Sequence, residues 1–222
     1  MENVSGATEM PGNITIESAA NISDEDKEQF LNEVIEVEKN SWPPELQAPK
    51  EKFASRLNLF SEGFFVVRVD GKIKGVSTSQ ITTYDSSSIK TWDEITDNGT
   101  IKQTHSPSGD SLYVVSVGVA AESQGKGIGG MLVQSQIDLA KKLGLKYLFL
   151  GARIPDYDDY CKQNGDVPVE DYLKIRNERE KTIDPEIRFY EKQGLHPAKI
   201  IPNFEPDVQS RDFGVVMLWE NA

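Results

Sequence analysis

Val117-Gly118-Val119-Ala120-Ala121-Glu122-Ser123-Gln124-Gly125-Lys126-Gly127-Ile128-Gly129-Gly130 runs an apolar strand into a glycine-rich loop that opens a helix. Four glycines within six residues let a backbone approach an anion without Cβ interference, and the unpaired N–H groups of a helix's first turn point at it. The stretch reads as a seat for a phosphate, and the expected ligand is a pyrophosphate.

Gly125, Gly127 and Gly130 also satisfy the G-x-G-x-x-G spacing of a dinucleotide site. Such a site needs an acid at the end of the next strand, roughly 20 residues on, to hold a ribose. Here that strand ends at Leu150-Gly151. A P-loop is disfavoured because Lys126 is followed by Gly127 and not by the hydroxyl that magnesium requires.

Composition narrows the classes further. The 222 residues, 37% hydrophobic, suffice for a substantial core, and one domain over residues 13–222 is expected. The balance of 24 basic against 36 acidic residues gives a formal charge of −12, which repels nucleic acid and anionic lipid and attracts cationic substrates. A single cysteine, Cys161, allows no internal disulfide. Residues 1–12 are polar, lack an apolar leader segment and read as a disordered tail, and no apolar run approaches the ~18 residues of a membrane span. A cytoplasmic protein with neither nucleic-acid nor membrane partners follows as the expectation, and the sequence allows a homodimer.

Periodicity places the elements around the glycine-rich loop. A short strand is expected at 13–17 and an amphipathic helix over 24–38, with Ser23 as its N-cap. Phe53, Leu57 and Phe60 mark a second helix that Gly63 should stop as a left-handed cap. Segments 64–69 and 72–82 form a hairpin around Asp70-Gly71. The polar segment 83–110, anchored by Trp92, reads as an insertion over the site. After the strand over 112–119 and the helix over 128–143, capped by Gly144, come a buried strand at 147–152 and a second insertion over 153–185. That insertion holds a charged helical piece from Val169 to Lys181. Asp184-Pro185 opens a helix reaching Gln193, and strands near 198–201 and 214–219 close the sheet. The class is α+β: a mixed, mostly antiparallel central sheet flanked by helices on both faces.

The spacing Val119-x-x-x-x-Gln124-Gly125-x-Gly127-x-Gly129 resembles the acetyl-CoA signature of the GNAT N-acetyltransferase superfamily. Phe189-Tyr190-Glu191-Lys192-Gln193-Gly194-Leu195 resembles its second landmark, in the right order. Segments 91–99, 151–155 and 200–203 look like the acetyltransferase half of proteins that fuse this domain to a carbon–nitrogen hydrolase, a likeness covering most of residues 25–220. The resemblance implies acetyl-CoA as cofactor and CoA as product. It implies that pantetheine lies along Val117, Gly118 and Val119, and that pyrophosphate is held from Gln124 through Gly125, Lys126, Gly127, Ile128, Gly129 and Gly130, with Lys192 nearby. It implies Tyr190 as the acid that protonates the leaving thiolate. Gly118 should mark a bulge that opens the sheet. Two positions depart from the family pattern: Ile183 replaces a frequent asparagine, and Glu186 stands where a small residue is usual.

The residues themselves leave the base open among Asp93, Glu94, His105, Asp110 and a bound water. His105 and the cluster Asp156, Tyr157, Asp159 and Tyr160 are candidates to receive a cationic amine, from a small molecule or a peptide. No His or Cys spacing suggests a metal. The expected reaction is direct attack of an amine on the thioester. The alternatives are a non-catalytic acyl-CoA-binding module and a dinucleotide-dependent oxidoreductase.

Overall fold

A computed structural model describes residues 12–89 and 91–221; the tail expected at 1–12 lies outside them except for Gly12. Seven strands form one sheet in the order β1-β2-β3-β4-β5-β7-β6. They are β1 (Ile14–Ser18), β2 (Phe65–Val69), β3 (Lys72–Thr82), β4 (Ser111–Val119), β5 (Tyr147–Ala152), β6 (His196–Ile201) and β7 (Gly214–Glu220). Every neighbouring pair is antiparallel except β4 and β5. That one parallel pair is joined by α4 (Ile128–Lys142), as a parallel pair requires a crossover.

Alternation along β2 separates two helical layers. Val66 and Val76 pack with Phe30, Leu31 and Val34 of α1 (Lys27–Ser41) and Phe53 and Leu57 of α2 (Lys50–Leu59). Val67 packs from the other side against Ile128 and Leu132 of α4. The remaining helices are α3 (Trp92–Thr96), α5 (Tyr157–Asn164), α6 (Val169–Tyr172) and α7 (Pro185–Lys192). No helix among the described residues is long and apolar enough to cross a membrane.

The Asp70-Gly71 hairpin turn adopts positive φ at both residues, 50° and 78°, and Gly144 ends α4 at φ 66°. Three local expectations fail for identifiable reasons. Ser23 does not cap α1: its hydroxyl accepts from Asp26 N–H at 3.2 Å and closes a turn just before the helix. Gly63 lacks a left-handed φ; a Cβ there would collide with the Phe60 ring and Ser79, so close packing explains it. The helix expected from Val169 to Lys181 is the single turn α6, because Asn177 accepts from the N–H groups of Arg179 and Lys181 and bends the chain into a bridge between Arg176 and Thr182.

Candidate active site

The glycine-rich loop supplies a row of unclaimed donors. Gly125 and Gly127 hold φ of 75° and 84°, a conformation that favours glycine, and Gly127 is the N-cap of α4. Among the described residues, the N–H groups from Gly125 to Gly130 have no hydrogen-bond partner; the helical ladder begins at Met131 N–H to Gly127 C=O. Gln124 Nε2 donates to Val119 C=O at 3.2 Å and closes the loop onto β4. The positive end of the α4 dipole adds to this anion cradle.

The sheet forks beside the loop. Pairing of β4 with β5 stops at Tyr113 and Phe149, while β5 continues against β7 through Ala152. The β3–β4 register shifts between Thr78–Ser116 and Ser79–Val114, so the bulge falls at Val115 and not at Gly118, where it was expected. Gly118 is instead a close approach: a Cβ there would lie 3.2 Å from Ser41 Oγ and 3.4 Å from Trp42 Nε1. A groove of about 720 Å³ runs from the loop along Val117–Val119 to Phe189 and Tyr190 of α7.

Asp184 caps α7, accepting from the N–H groups of Glu186 and Ile187 at 3.0 and 3.1 Å, with Pro185 in the first turn. Glu186 and Tyr190, one turn apart, therefore share a helix face. The Tyr190 ring is buried, and its hydroxyl makes no hydrogen bond among the described residues. Burial, then Glu186 and Tyr113, hold its pKa well above the ordinary 10.0. Glu186 accepts from Arg153 N–H at 3.0 Å; burial pushes its carboxyl up to about 7 against the pull of Arg153. Arg153 is engaged by Asp207, with its Nε and Nη2 donating at 2.8 and 2.9 Å.

Two smaller cavities lie beyond the groove. A chamber of about 60 Å³ occupies the fork between Val114–Val117 and Leu150–Gly151, and shares Trp42, Arg153, Glu186 and Tyr190 with the groove. A vestibule of about 240 Å³ shares Leu46, Ala48, Trp92 and Glu205 with the chamber and reaches Asp93 and Lys52. Burial raises Glu205 to about 7, with Arg153 lowering it and Asp207 and Asp93 raising it.

This arrangement of loop, forked parallel pair and tyrosine helix agrees with the match of the Acetyltransferase (GNAT) family profile to residues 27–159. The chain belongs to that family. The uncharacterized N-acetyltransferase YkwB of Bacillus subtilis is 32% identical over 201 residues, 88% of this chain and 86% of that one. The probable hydrolase YhcX of the same bacterium is 30% identical over 198 residues, 88% of this chain but 38% of the relative. Two solved structures share the fold. The loading GNATL domain of CurA from Lyngbya majuscula has TM-score 0.79 at 22% identity, over 94% of this chain and 98% of that one. The GphF GNAT-like decarboxylase, in complex with isobutyryl-CoA, has TM-score 0.76 at 22% identity, over 93% and 98%.

Within this GNAT chain, the groove gathers Val117, Gly118, Val119, Gln124, Gly125, Gly127, Ile128, Gly129, Gly130, Tyr190 and Lys192; Lys126 is exposed on the loop between them. The residues expected at the acceptor lie elsewhere, lining none of these three cavities. His105 Nδ1 accepts from Ile81 N–H at 3.1 Å and its ring stacks on Phe60, so it braces the insertion. Tyr157 donates to Val167 C=O at 2.6 Å, Tyr160 packs on Tyr172, and Asp159 pairs with Lys162. Asp156 is the residue before α5, and its N–H donates to Asp184 at 3.4 Å. Of the proposed bases, Asp93 lines the vestibule. Asp110 accepts from Tyr84 N–H at 3.3 Å and from Ser111. Glu94 N–H caps onto Thr91, and its side chain lines none of the three cavities.

Sequence reasoning passed over Glu186, Glu205 and Arg153 as site residues. The signal for Glu186 was present: it lies four residues before Tyr190, hence on the same helical face. Glu205 sits in a loop whose path no local pattern encodes. Among the described residues, no cluster of three or more His, Cys, Asp or Glu is arranged to hold a metal.

Proposed function

We propose that the protein is an acetyl-CoA-dependent N-acetyltransferase that acts by direct attack of an amine on the thioester. The observation that carries this reading is the meeting of the groove with Glu186 and Tyr190 at the fork. Free N–H groups from Gly125 to Gly130 take the pyrophosphate, and the unpaired edge of β4 past Tyr113 offers backbone partners to the pantetheine arm. The complex of GphF with isobutyryl-CoA supports a groove of this kind holding an acyl-CoA.

In this reading Glu186 is the base and Tyr190 the acid. The ammonium gives one proton to Glu186, and its nitrogen attacks the carbonyl carbon to form the C–N bond. The C–S bond breaks with its electron pair on sulfur, which takes the Tyr190 proton. The nitrogen's remaining surplus proton returns to Tyr190 through water, and Glu186 releases its own to solvent. The sum is an amide, a free thiol and one proton. A base poised near 7 suits neutral pH, and the raised pKa of Tyr190 keeps the phenol protonated until sulfur develops charge.

Calorimetric titration with acetyl-CoA, and with NAD as a control, tests the cofactor. Micromolar binding of acetyl-CoA alone is expected; preference for NAD would overturn the reading. The dinucleotide alternative is weakened by Arg153, which follows β5 where an acid would be needed.

A further inference from the structure

We propose that Asp207 is a positioning residue for the base: it claims the Arg153 guanidinium, which would otherwise pair with Glu186, and so leaves Glu186 able to take the acceptor's proton. This role rests on the acetyltransferase reading and concerns proton uptake at that same site.

Arg153 lines both groove and chamber, as do Glu186 and Tyr190. Its backbone N–H donates to Glu186 Oε1 at 3.0 Å, so the chain after β5 holds the carboxyl through its main chain. The guanidinium is spent elsewhere. Nε and Nη2 donate to the two oxygens of Asp207 at 2.8 and 2.9 Å, and Nη2 also donates to Gln209 Oε1 at 2.7 Å. Among the described residues Arg153 pairs with Asp207 and forms no ion pair with Glu186. A two-point contact of this kind fixes the orientation of the guanidinium as well as its position.

The loop between β6 and β7 is organised around Asp207. The carboxylate also accepts from Ser210 Oγ–H and from Gln209 N–H, the latter at 3.1 Å, and the Asp207 N–H donates to Asp212 Oδ1 at 2.8 Å. Arg211 and Asp212 hold φ of 50° and 63°, a conformation unfavourable for residues other than glycine. Two further bonds tie the loop to the chain after β5: Ile154 N–H donates to Ser210 Oγ and Asp158 N–H to Gln209 C=O, both at 3.0 Å. Asp207 is thereby held, 8% exposed, against the one cation that follows β5 into the site.

The consequence falls on Glu186. The charged and titratable groups bearing on it are Arg153, Asp184 at the start of its own helix, Asp207 and Tyr190, with Glu38, Arg56 and Glu205 lining the same chamber. A cation in direct contact lowers a carboxyl by about 1–3 pH units, and a carboxyl so lowered is a weaker base. With its guanidinium held by Asp207, Arg153 orients Glu186 by its N–H and pulls on it only from a distance, so burial keeps the carboxyl at about 7.

Glutamate labelled with carbon-13 at the side-chain carboxyl reads the Glu186 proton by NMR, its resonance being identified by its loss in Glu186→Gln. The titration midpoint should lie at about 7 in wild type and fall by about one pH unit or more in Asp207→Asn. It should return to the wild-type value or above in Asp207→Asn/Arg153→Met, where Arg153 can no longer pair with the carboxyl, and should rise in Arg153→Met alone. An unmoved midpoint in Asp207→Asn would overturn the proposal. So would a midpoint that stays low in the double variant or falls in Arg153→Met, because a loosened loop that admits water lowers the carboxyl in all three variants alike. The pH limb of kcat/KM for thiol release from acetyl-CoA with 1-aminobutane should move with the midpoint. Midpoints that behave as expected beside a limb that survives Glu186→Gln would overturn Glu186 as the base and leave the hold of Asp207 on Arg153 standing.

Discussion

At the residue scale, the proposed chemistry turns on two side chains one helical turn apart. Tyr190→Phe removes only an oxygen from a buried ring, so kcat should fall by about 100-fold or more, the range of general acid catalysis, with acetyl-CoA affinity unchanged by calorimetry. Glu186 must lose its proton to act, so kcat/KM should rise with pH through about 7, and Glu186→Gln should abolish that limb of the profile. The same carboxyl is a stability liability. Its folded pKa is raised from 4.5, so the folded state holds the proton more tightly, and its contribution falls as pH rises from 4.5 through about 7. Glu186→Gln should therefore melt at a higher temperature than wild type at pH 8 while turning over more slowly, a loss of function with a gain of stability that a purely structural glutamate would not give. Glu186 was visible in the sequence as a departure from a family pattern and as the residue one helical turn before Tyr190. Its meaning required its burial and the neighbours Arg153, just after β5, and Asp207, in the loop after β6.

At the element scale, the loop and α4 form one device: glycines set the backbone, and the helix start supplies the donors. Gly127→Ala places a Cβ at φ 84°, which costs about 1–2 kcal/mol in a left-handed conformation and disturbs the donors beside it. Acetyl-CoA Kd should rise, measured by calorimetry, with the fold retained by circular dichroism. This device was legible because its determinants are local: glycine spacing, an apolar strand before it and helical periodicity after it. The Asp70-Gly71 hairpin and the Asp184-Pro185 helix start were legible for the same reason. Elements decided by distant contacts were not. Gly63 is set by packing against Phe60 and Ser79, and the bulge sits at Val115, whose carbonyl is satisfied by Trp92 from the 83–110 insertion. The acid and tyrosine cluster of α5 looked like an amine site in sequence, yet its side chains are spent on packing and surface ion pairs.

At the scale of the whole molecule, a buried arginine ties the layers together. Arg56, 1% exposed, links α2 to the turn after α3 and to β3 and β4. Arg56→Met leaves the Gly99 carbonyl without its side-chain donor beneath the chamber, while Thr78 and Ser116 keep their mutual hydrogen bond at 3.0 Å, and a loss of about 1–3 kcal/mol is expected in denaturant unfolding. The formal charge of −12 acts over the whole surface, so added salt should lower kcat/KM for a cationic amine while leaving kcat nearly unchanged. The proposed function requires amine-dependent cleavage of a thioester. The direct test is thiol release from saturating acetyl-CoA with and without 1-aminobutane, in wild type and Tyr190→Phe. Release should require the amine and collapse in Tyr190→Phe despite undiminished acetyl-CoA binding; release that ignores the amine, or persists in Tyr190→Phe, would contradict the acetyltransferase reading.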